Sequence, residues 1–245
     1  MIVIDVGNTS LNFMWVDDKG AAIKTKRIPT TEASAAGIKE IFSKNKQENI
    51  VVCSVVPRVT ALLKKVSNEL AVNLYIIGQK IKVPIKSSYN ERHIGMDRLV
   101  AAYAAKKIYK DVRIVVDFGT AITFDILSRE GDYEGGLILP GLGSTLRVLS
   151  SCALLPKKIK LRFVKMAIPR DTPDSINKGI EEGFSLMIDS LIEKYKKILK
   201  IKNNTKVIIT GGDAKFILQS LKSPIIFDQF LVMKGLSLLA AESIR

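Results

Sequence analysis

The chain opens on a short apolar run, Ile2-Val3-Ile4 and then Val6, interrupted only by Asp5, and a second apolar stretch occupies residues 11–16. A turn at Asp17-Asp18-Lys19-Gly20 leads into a third run at 21–28. Brief apolar runs bounded by Gly, Asp and Asn are the pattern of strands joined by tight turns. The same order returns later: a strand at 113–117, the turn Asp117-Phe118-Gly119-Thr120-Ala121, a strand at 122–127, a turn at 128–132 and a strand at 133–139. In both places an Asp ends the first strand, a Gly stands two positions on, and Asn or Thr follows; the offset is 117 − 5 = 112 residues. A string that short recurs by chance, but a whole strand, turn and hairpin order does not, and we read an internal duplication.

Between and after the hairpins the apolar period changes to that of helices. The pattern predicts a helix over 31–44, a buried strand at 50–55, a helix over 57–70 opened by Pro57, and a strand at 74–77. The later half predicts helices over 144–151 and 174–199, a strand at 206–210, a helix after Gly212, and a last amphipathic helix over 230–243. Hairpins followed by alternating helices and strands give an α/β fold of two halves, 1–112 and 113–245. Each half is a mixed β-sheet flanked by helices, and the two are expected to face one nucleotide cleft. No Pro- or Gly-rich linker separates them.

Composition narrows the classes of function. A chain of 245 residues buries enough surface to fold without disulfides or a structural metal, and its 47% hydrophobic and 25% charged content is that of a globular protein. No apolar run approaches the roughly 18 residues of a membrane span. The N-terminus reads as a first strand and not as a leader, so a cytoplasmic location with no membrane partner is expected. Cys53 and Cys152 sit in apolar surroundings and read as buried reduced thiols. His93 is the only histidine, which argues against Ser-His-Asp chemistry and against a zinc site. The formal charge of +14 would draw anions, but the lysines are scattered along helical stretches, with a denser group at Lys157, Lys158 and Lys160. They read as a solvated surface, and nucleic acid is not expected as a partner.

Asp5-Val6-Gly7-Asn8-Thr9 sets a carboxylate at a strand end, then a glycine where backbone can approach a ligand, then hydrogen-bond donors, a combination that suits phosphates. A carboxylate beside phosphates needs a cation, so Asp5 suggests magnesium, direct or through water. Neither G-x-x-x-x-G-K-[ST] nor a strand followed by G-x-G-x-x-G occurs, so the phosphate site is of another kind. Gly95-Met96-Asp97-Arg98 opens an alanine-rich helix, placing an acid beside exposed backbone N–H groups.

The paired D-x-G-[NT] hairpins resemble the two phosphate loops of the acetate kinase, hexokinase, Hsp70 and actin superfamily, and Gly211-Gly212-Asp213 resembles its later glycine turn. With the Gly-x-Asp-Arg turn, Asp117-x-Gly-Thr-Ala-x-Thr-x-Asp125 and Gly135-Gly-x-Ile-x-Pro-Gly141, the chain resembles type III pantothenate kinases over essentially its full length. The resemblance implies ATP-dependent phosphorylation of pantothenate to 4'-phosphopantothenate, the first step of coenzyme A biosynthesis. It implies ATP contacts from Asp5, Val6, Gly7, Asn8, Thr9, Ser10, Leu11, Asn12 and Thr120, with Asp97 as the base. Pantothenate contacts follow for Tyr89, Gly95, Met96, Asp97, Arg98 and Thr172, the last from the opposite subunit of an obligate homodimer. Asp117 would hold a monovalent cation, potassium or ammonium, and Asp125 would be structural. The apolar stretch Ala153-Leu154-Leu155-Pro156 would suit a dimer partner or simple core packing.

Two other readings stand beside this one. The same family contains a non-catalytic accessory-factor branch associated with transcriptional control. Retention of Asp5, Asp97, Arg98, Asp117 and Thr120 favours the enzyme, because a pure binding protein has no chemical need for an acid at 97. A different kinase or phosphohydrolase on the same scaffold is the third, since fold alone does not fix substrate.

Overall fold

The computed structural model describes residues 1–17, 19–45, 48–89, 94–152, 155–156 and 159–244. Asp18, His93, Ala153, Leu154, Lys157 and Lys158, which entered the sequence reading, lie outside them. The chain divides into two compact units, Met1–Ile108 with the C-terminal segment from Phe230, and Tyr109–Gln229.

The first unit holds a five-stranded sheet of β1 (Ile2–Val6), β2 (Ser10–Val16), β3 (Ala22–Pro29), β4 (Ile50–Ser54) and β5 (Leu74–Ile76), in the order β3-β2-β1-β4-β5. The hairpin pairs are antiparallel, and β1-β4 and β4-β5 are parallel. Side chains alternate across a strand, which splits each strand between two cores. Ile2, Ile4 and Val6 join Ile50 and Val52 under α1 (Ala35–Ser43) and α2 (Pro57–Leu70). Val3, Met14, Val51 and Cys53 face the other way, against Val100 and Tyr103 of α3 (Met96–Ile108) and Met233, Leu236 and Leu239 of a C-terminal helix, Leu231–Ser243.

The second unit repeats the plan. Its strands are β6 (Ile114–Phe118), β7 (Ala121–Leu127), β8 (Tyr133–Pro140), β9 (Val207–Thr210) and β10 (Ile225–Phe227), in the order β10-β9-β6-β7-β8. Read from the other edge this is the first sheet again, strand for strand, with the same antiparallel and parallel pairs. Even the register shift of the outer hairpin recurs, between Trp15 and Val16 in one copy and Ile126 and Leu127 in the other. One core of this unit joins Ile114, Val116, Phe118, Val207 and Ile209 to α4 (Leu142–Ser151) and α5 (Thr172–Ile198).

Several elements differ from the sequence reading. The C-terminal helix, α6, was expected with the second half, but its apolar face packs on α3 and β1 of the first. The helix expected from 31 starts at Ala35, because Thr30–Glu32 forms a single 3₁₀ turn and the Ser34 side chain caps Gly37 N at 3.2 Å. The helix expected after Gly212 is two 3₁₀ turns, Ala214–Phe216 and Leu218–Ser220. There the Asp213 N–H is already committed to the Phe118 carbonyl at 3.0 Å, tying the chain to the end of β6. β10, only three residues long, was not foreseen. Cys53 is buried as expected, but Cys152 is exposed, since it caps the C-terminus of α4 and has left the helix's apolar face.

Candidate active site

Strand parity places the first acid. Asp5 lies on the same face of β1 as Val3, opposite Asn12 on β2 and Cys53 on β4. That face is the one covered by α3, whose first turn carries Asp97. Asn12 Nδ2 donates to Asp5 Oδ2 at 3.2 Å. Asp97 Oδ1 accepts the Arg98 N–H at 2.9 Å, so the carboxylate is turned back on the start of its own helix. Arg98 N also donates to Gly95 O at 3.1 Å, which closes the Gly95-Met96-Asp97-Arg98 turn.

The two acids perturb one another. Burial, and next the charge of Asp97, push the Asp5 carboxyl up to about 7, against the Asn12 hydrogen bond, which acts downward. Burial raises Asp97 as well, with the Arg98 N–H and guanidinium acting downward. The Cys53 thiol is driven well up by burial and by both carboxylates. Two acids so disposed form a position that gains from a cation. Among the described residues no group of three or more His, Cys, Asp or Glu side chains could hold a metal. A divalent ion at Asp5 would therefore draw most of its ligands from phosphate oxygens and water, as magnesium does.

This arrangement contributes a pH-dependent part of the stability of the ligand-free protein. A carboxyl raised in the folded state favours folding below its unfolded value near 4, and that contribution is lost as pH rises through about 7. Asp5→Asn is therefore expected to melt about 2–6 °C above the parent at pH 8, with the difference vanishing near pH 4. Scanning calorimetry across that range checks it.

The rest of the first turn is divided between core and solvent. Asn8 and Thr9 are exposed, whereas Val6 and Leu11 are fully buried in the first core, so those two can meet a ligand only through their backbone. Ser10 is buried, and its carbonyl accepts the Gly7 N–H at 3.0 Å. Met96 is packed into the second core of this unit and Arg98 is half-buried. Tyr89 is 44% exposed, held by its N–H on Ser87 Oγ at 3.0 Å, and the residues linking it to the Gly95 turn lie outside those described.

In the second unit Asp117 ends β6 opposite Thr123 and Thr210, the positions that Asn12 and Cys53 hold in the first. Gly211 lies directly over it with φ +98°. Thr120 is exposed at the turn, its carbonyl taking Gly141 N at 3.2 Å and Ser144 Oγ at 2.7 Å. Asp125 is fully buried and receives Tyr133 OH at 2.9 Å and Thr123 Oγ1 at 3.3 Å, a core role. Thr172 is exposed in the first turn of α5, next to Asp171, whose side chain caps Asp174 N at 2.8 Å. Sequence reading did not single out Cys53 as a neighbour of the acids, nor Thr30, Arg58 and Ser144, whose partners are backbone groups of the turns or of each other. Only strand parity could have found the first, and no sequence signal marks the others.

The family model for type III pantothenate kinases matches residues 1–194. A type III pantothenate kinase of Persephonella marina is 35% identical over 249 residues, covering 95% of each chain. Among solved structures, a Baf family protein of Campylobacter jejuni, described as a transcriptional activator, superposes with TM-score 0.64 at 24% identity over 99% and 98% of the two chains. A ROK family glucokinase of Streptomyces griseus, solved with glucose and AMPPNP, gives 0.57 at 11% identity over 99% of each. At those identities the structures speak for the fold alone, the duplicated actin-like α/β fold that the two matching sheets already display. By the family match and by a relative this similar along nearly its whole length, the chain belongs to the type III pantothenate kinase family.

Proposed function

We propose that Asp97, on the α3 face of the first sheet beside Asp5, is the base of an ATP-dependent pantothenate kinase. The chain phosphorylates pantothenate to 4'-phosphopantothenate, opening coenzyme A biosynthesis. The pairing of these two acids on one face carries the assignment of roles. The primary hydroxyl oxygen of pantothenate attacks the γ-phosphorus of ATP, the bond to the β,γ-bridging oxygen breaks, and ADP leaves. Asp97 takes the hydroxyl proton. Transfer passes through a loose transition state, so orientation supplies most of the rate and the proton moves late; a carboxylate raised by burial suffices. Magnesium, when bound, neutralises charge on the phosphate oxygens next to Asp5. The turn at Asp5–Asn12 and Thr120 contact ATP, and Gly95, Met96, Arg98 and Tyr89 hold pantothenate, with the Arg98 guanidinium suited to its carboxylate.

Three finer points belong to the same proposal. Asp117, half-buried and flanked by Thr123 and Thr210, binds the potassium or ammonium ion. The enzyme is a homodimer in which Thr172 completes the partner's pantothenate pocket. Its exposure supports this, as does the exposure of Phe163 (45%), Met166 (46%) and Ile168 (80%) shortly before it in the chain. A cytoplasmic location fits the substrate, and among the described residues no helix is long and apolar enough to cross a membrane. The regulator reading gains only a shared fold from the Campylobacter jejuni structure.

Turnover of ATP and pantothenate measured in potassium, ammonium and sodium tests the reading. Potassium or ammonium is expected to raise kcat/KM at least about tenfold over sodium, and Asp117→Asn to remove most of that difference. Equal rates in all three ions would exclude the monovalent site. No turnover of pantothenate in any ion, with another alcohol phosphorylated, would exclude the substrate.

A further inference from the structure

The hairpin turns Gly7–Thr9 and Gly119–Thr120 are each closed by one backbone bond of their own and held besides by a side-chain hydroxyl from outside the turn. In the first unit the chain leaving β3 passes behind the turn, and Thr30 meets it twice. Its backbone N–H donates to Thr9 O at 3.0 Å and its hydroxyl donates to Gly7 O at 2.7 Å. Thr30 itself is only 6% exposed, so its hydroxyl is held on Gly7 O away from solvent. Its own carbonyl is held from α2 by Arg58, whose NH2 donates at 2.9 Å.

The second unit carries a related clamp with two changes, a shorter turn and a hydroxyl on the other carbonyl. Gly7 N pairs with Ser10 O in the first turn, but Gly119 N pairs with Ala121 O in the second, so the second turn is one residue shorter. β7 consequently follows β2 at an offset of 111, as 121 − 10, and Thr30 corresponds to position 141. Gly141 N does donate to Thr120 O, at 3.2 Å. The tighter turn leaves no room for a side chain there. A Cβ on Gly141 would run into the carbonyl oxygens of Gly119 and Thr120 and come to 2.8 Å from the Thr120 carbonyl carbon. A hydroxyl does come from the first turn of α4, but to the other carbonyl: Ser144 Oγ donates to Thr120 O, the counterpart of Thr9 O, at 2.7 Å, and Arg147 NH2 donates to Ser144 Oγ at 2.8 Å.

We infer that Thr30 and Ser144 are positioning residues of this kinase: each donates its hydroxyl to one carbonyl of a nucleotide turn, Gly7 O in the first unit and Thr120 O in the second, so that the turn keeps its aim on the phosphates. The inference rests on the proposal that these turns face ATP. Neither residue touches the reacting atoms; both act through the turn they hold.

Thr30→Val removes the hydroxyl and keeps the shape. It is expected to raise KM for ATP about threefold to tenfold, the span of one lost hydrogen bond, while KM for pantothenate stays within about twofold. Thr30→Ser restores the parent value, and Ser144→Ala repeats the selective loss. Arg58→Ala, at an exposed side chain, gives a smaller change in the same direction and covers the case in which Thr30→Val folds poorly. A merely structural role would lower the melting temperature and shift both KM values together, or neither, and that result overturns the inference. Asn8→Ala separates the two layers. If it weakens ATP while Thr30→Val and Ser144→Ala do not, the positioning role fails and the ATP assignment stands. If Asn8→Ala leaves ATP untouched, the assignment of the turn fails and the positioning role fails with it.

Discussion

Asp97→Asn is expected to lower kcat about tenfold to a hundredfold while KM for ATP changes little. The amide keeps the size of the side chain and its hydrogen bond to the Arg98 N–H, so the start of α3 is preserved and the loss reports on the proton acceptor. The effect stays well short of total because the loose transition state asks for the proton late, and positioning of ATP is untouched. Two further readings distinguish this from general damage. The acidic limb of the kcat profile, set in the parent by a carboxylate raised through burial, should flatten in Asp97→Asn. Removing the Asp97 charge should also let Asp5 fall below its parent value near 7, since that charge is the second cause holding it up. An unchanged kcat would exclude Asp97 as the base.

The largest structural effect is expected at Gly211. Its φ of +98° lies in the region that side chains avoid. A Cβ there would also strike the Asp117 carboxylate and lie 2.5 Å from both Phe118 N and Phe118 O. All but the carboxylate is backbone of the central strand β6, which cannot yield without disturbing its pairing with β7 and β9. Backbone strain and overpacking together place Gly211→Ala at about 2–5 kcal/mol of destabilisation. A fall in melting temperature of about 5–15 °C follows, and, with Asp117 displaced, the monovalent-ion response proposed for that side chain is expected to be lost with it. Thermal melts with and without potassium measure both; a variant as stable and as ion-responsive as the parent would contradict the packing of this turn.

Much of this was legible in the chain itself, and the residues say why. Asp5-Val6-Gly7 and Asp117-Phe118-Gly119 revealed the duplication because a hairpin turn is local chemistry, written in consecutive residues. The sheets confirm it down to strand order. Asp97 was legible as a helix-start acid, but its nearness to Asp5 depends on α3 covering the Val3 and Cys53 face, a packing choice that no periodicity encodes. The C-terminal helix failed for the same reason: its apolar face was plain, yet nothing in its pattern says which sheet it covers. Thr30 and Ser144 were invisible because a hydroxyl given to a backbone carbonyl leaves no partner residue to read. Cys152 misled because apolar neighbours in sequence did not keep it on the buried side of α4 once the helix had ended.

The most direct measurement follows the phosphorus itself. Purified protein is given γ-labelled ATP, magnesium, potassium and pantothenate, and the products are resolved by ³¹P NMR and mass spectrometry. One labelled phosphoryl group on the primary hydroxyl oxygen of pantothenate for each ADP formed is the expected result, with the rate cut in Asp97→Asn. Label appearing only as inorganic phosphate, or on pantothenate as fast without the Asp97 carboxylate as with it, would contradict the chemistry assigned to the first sheet's paired acids.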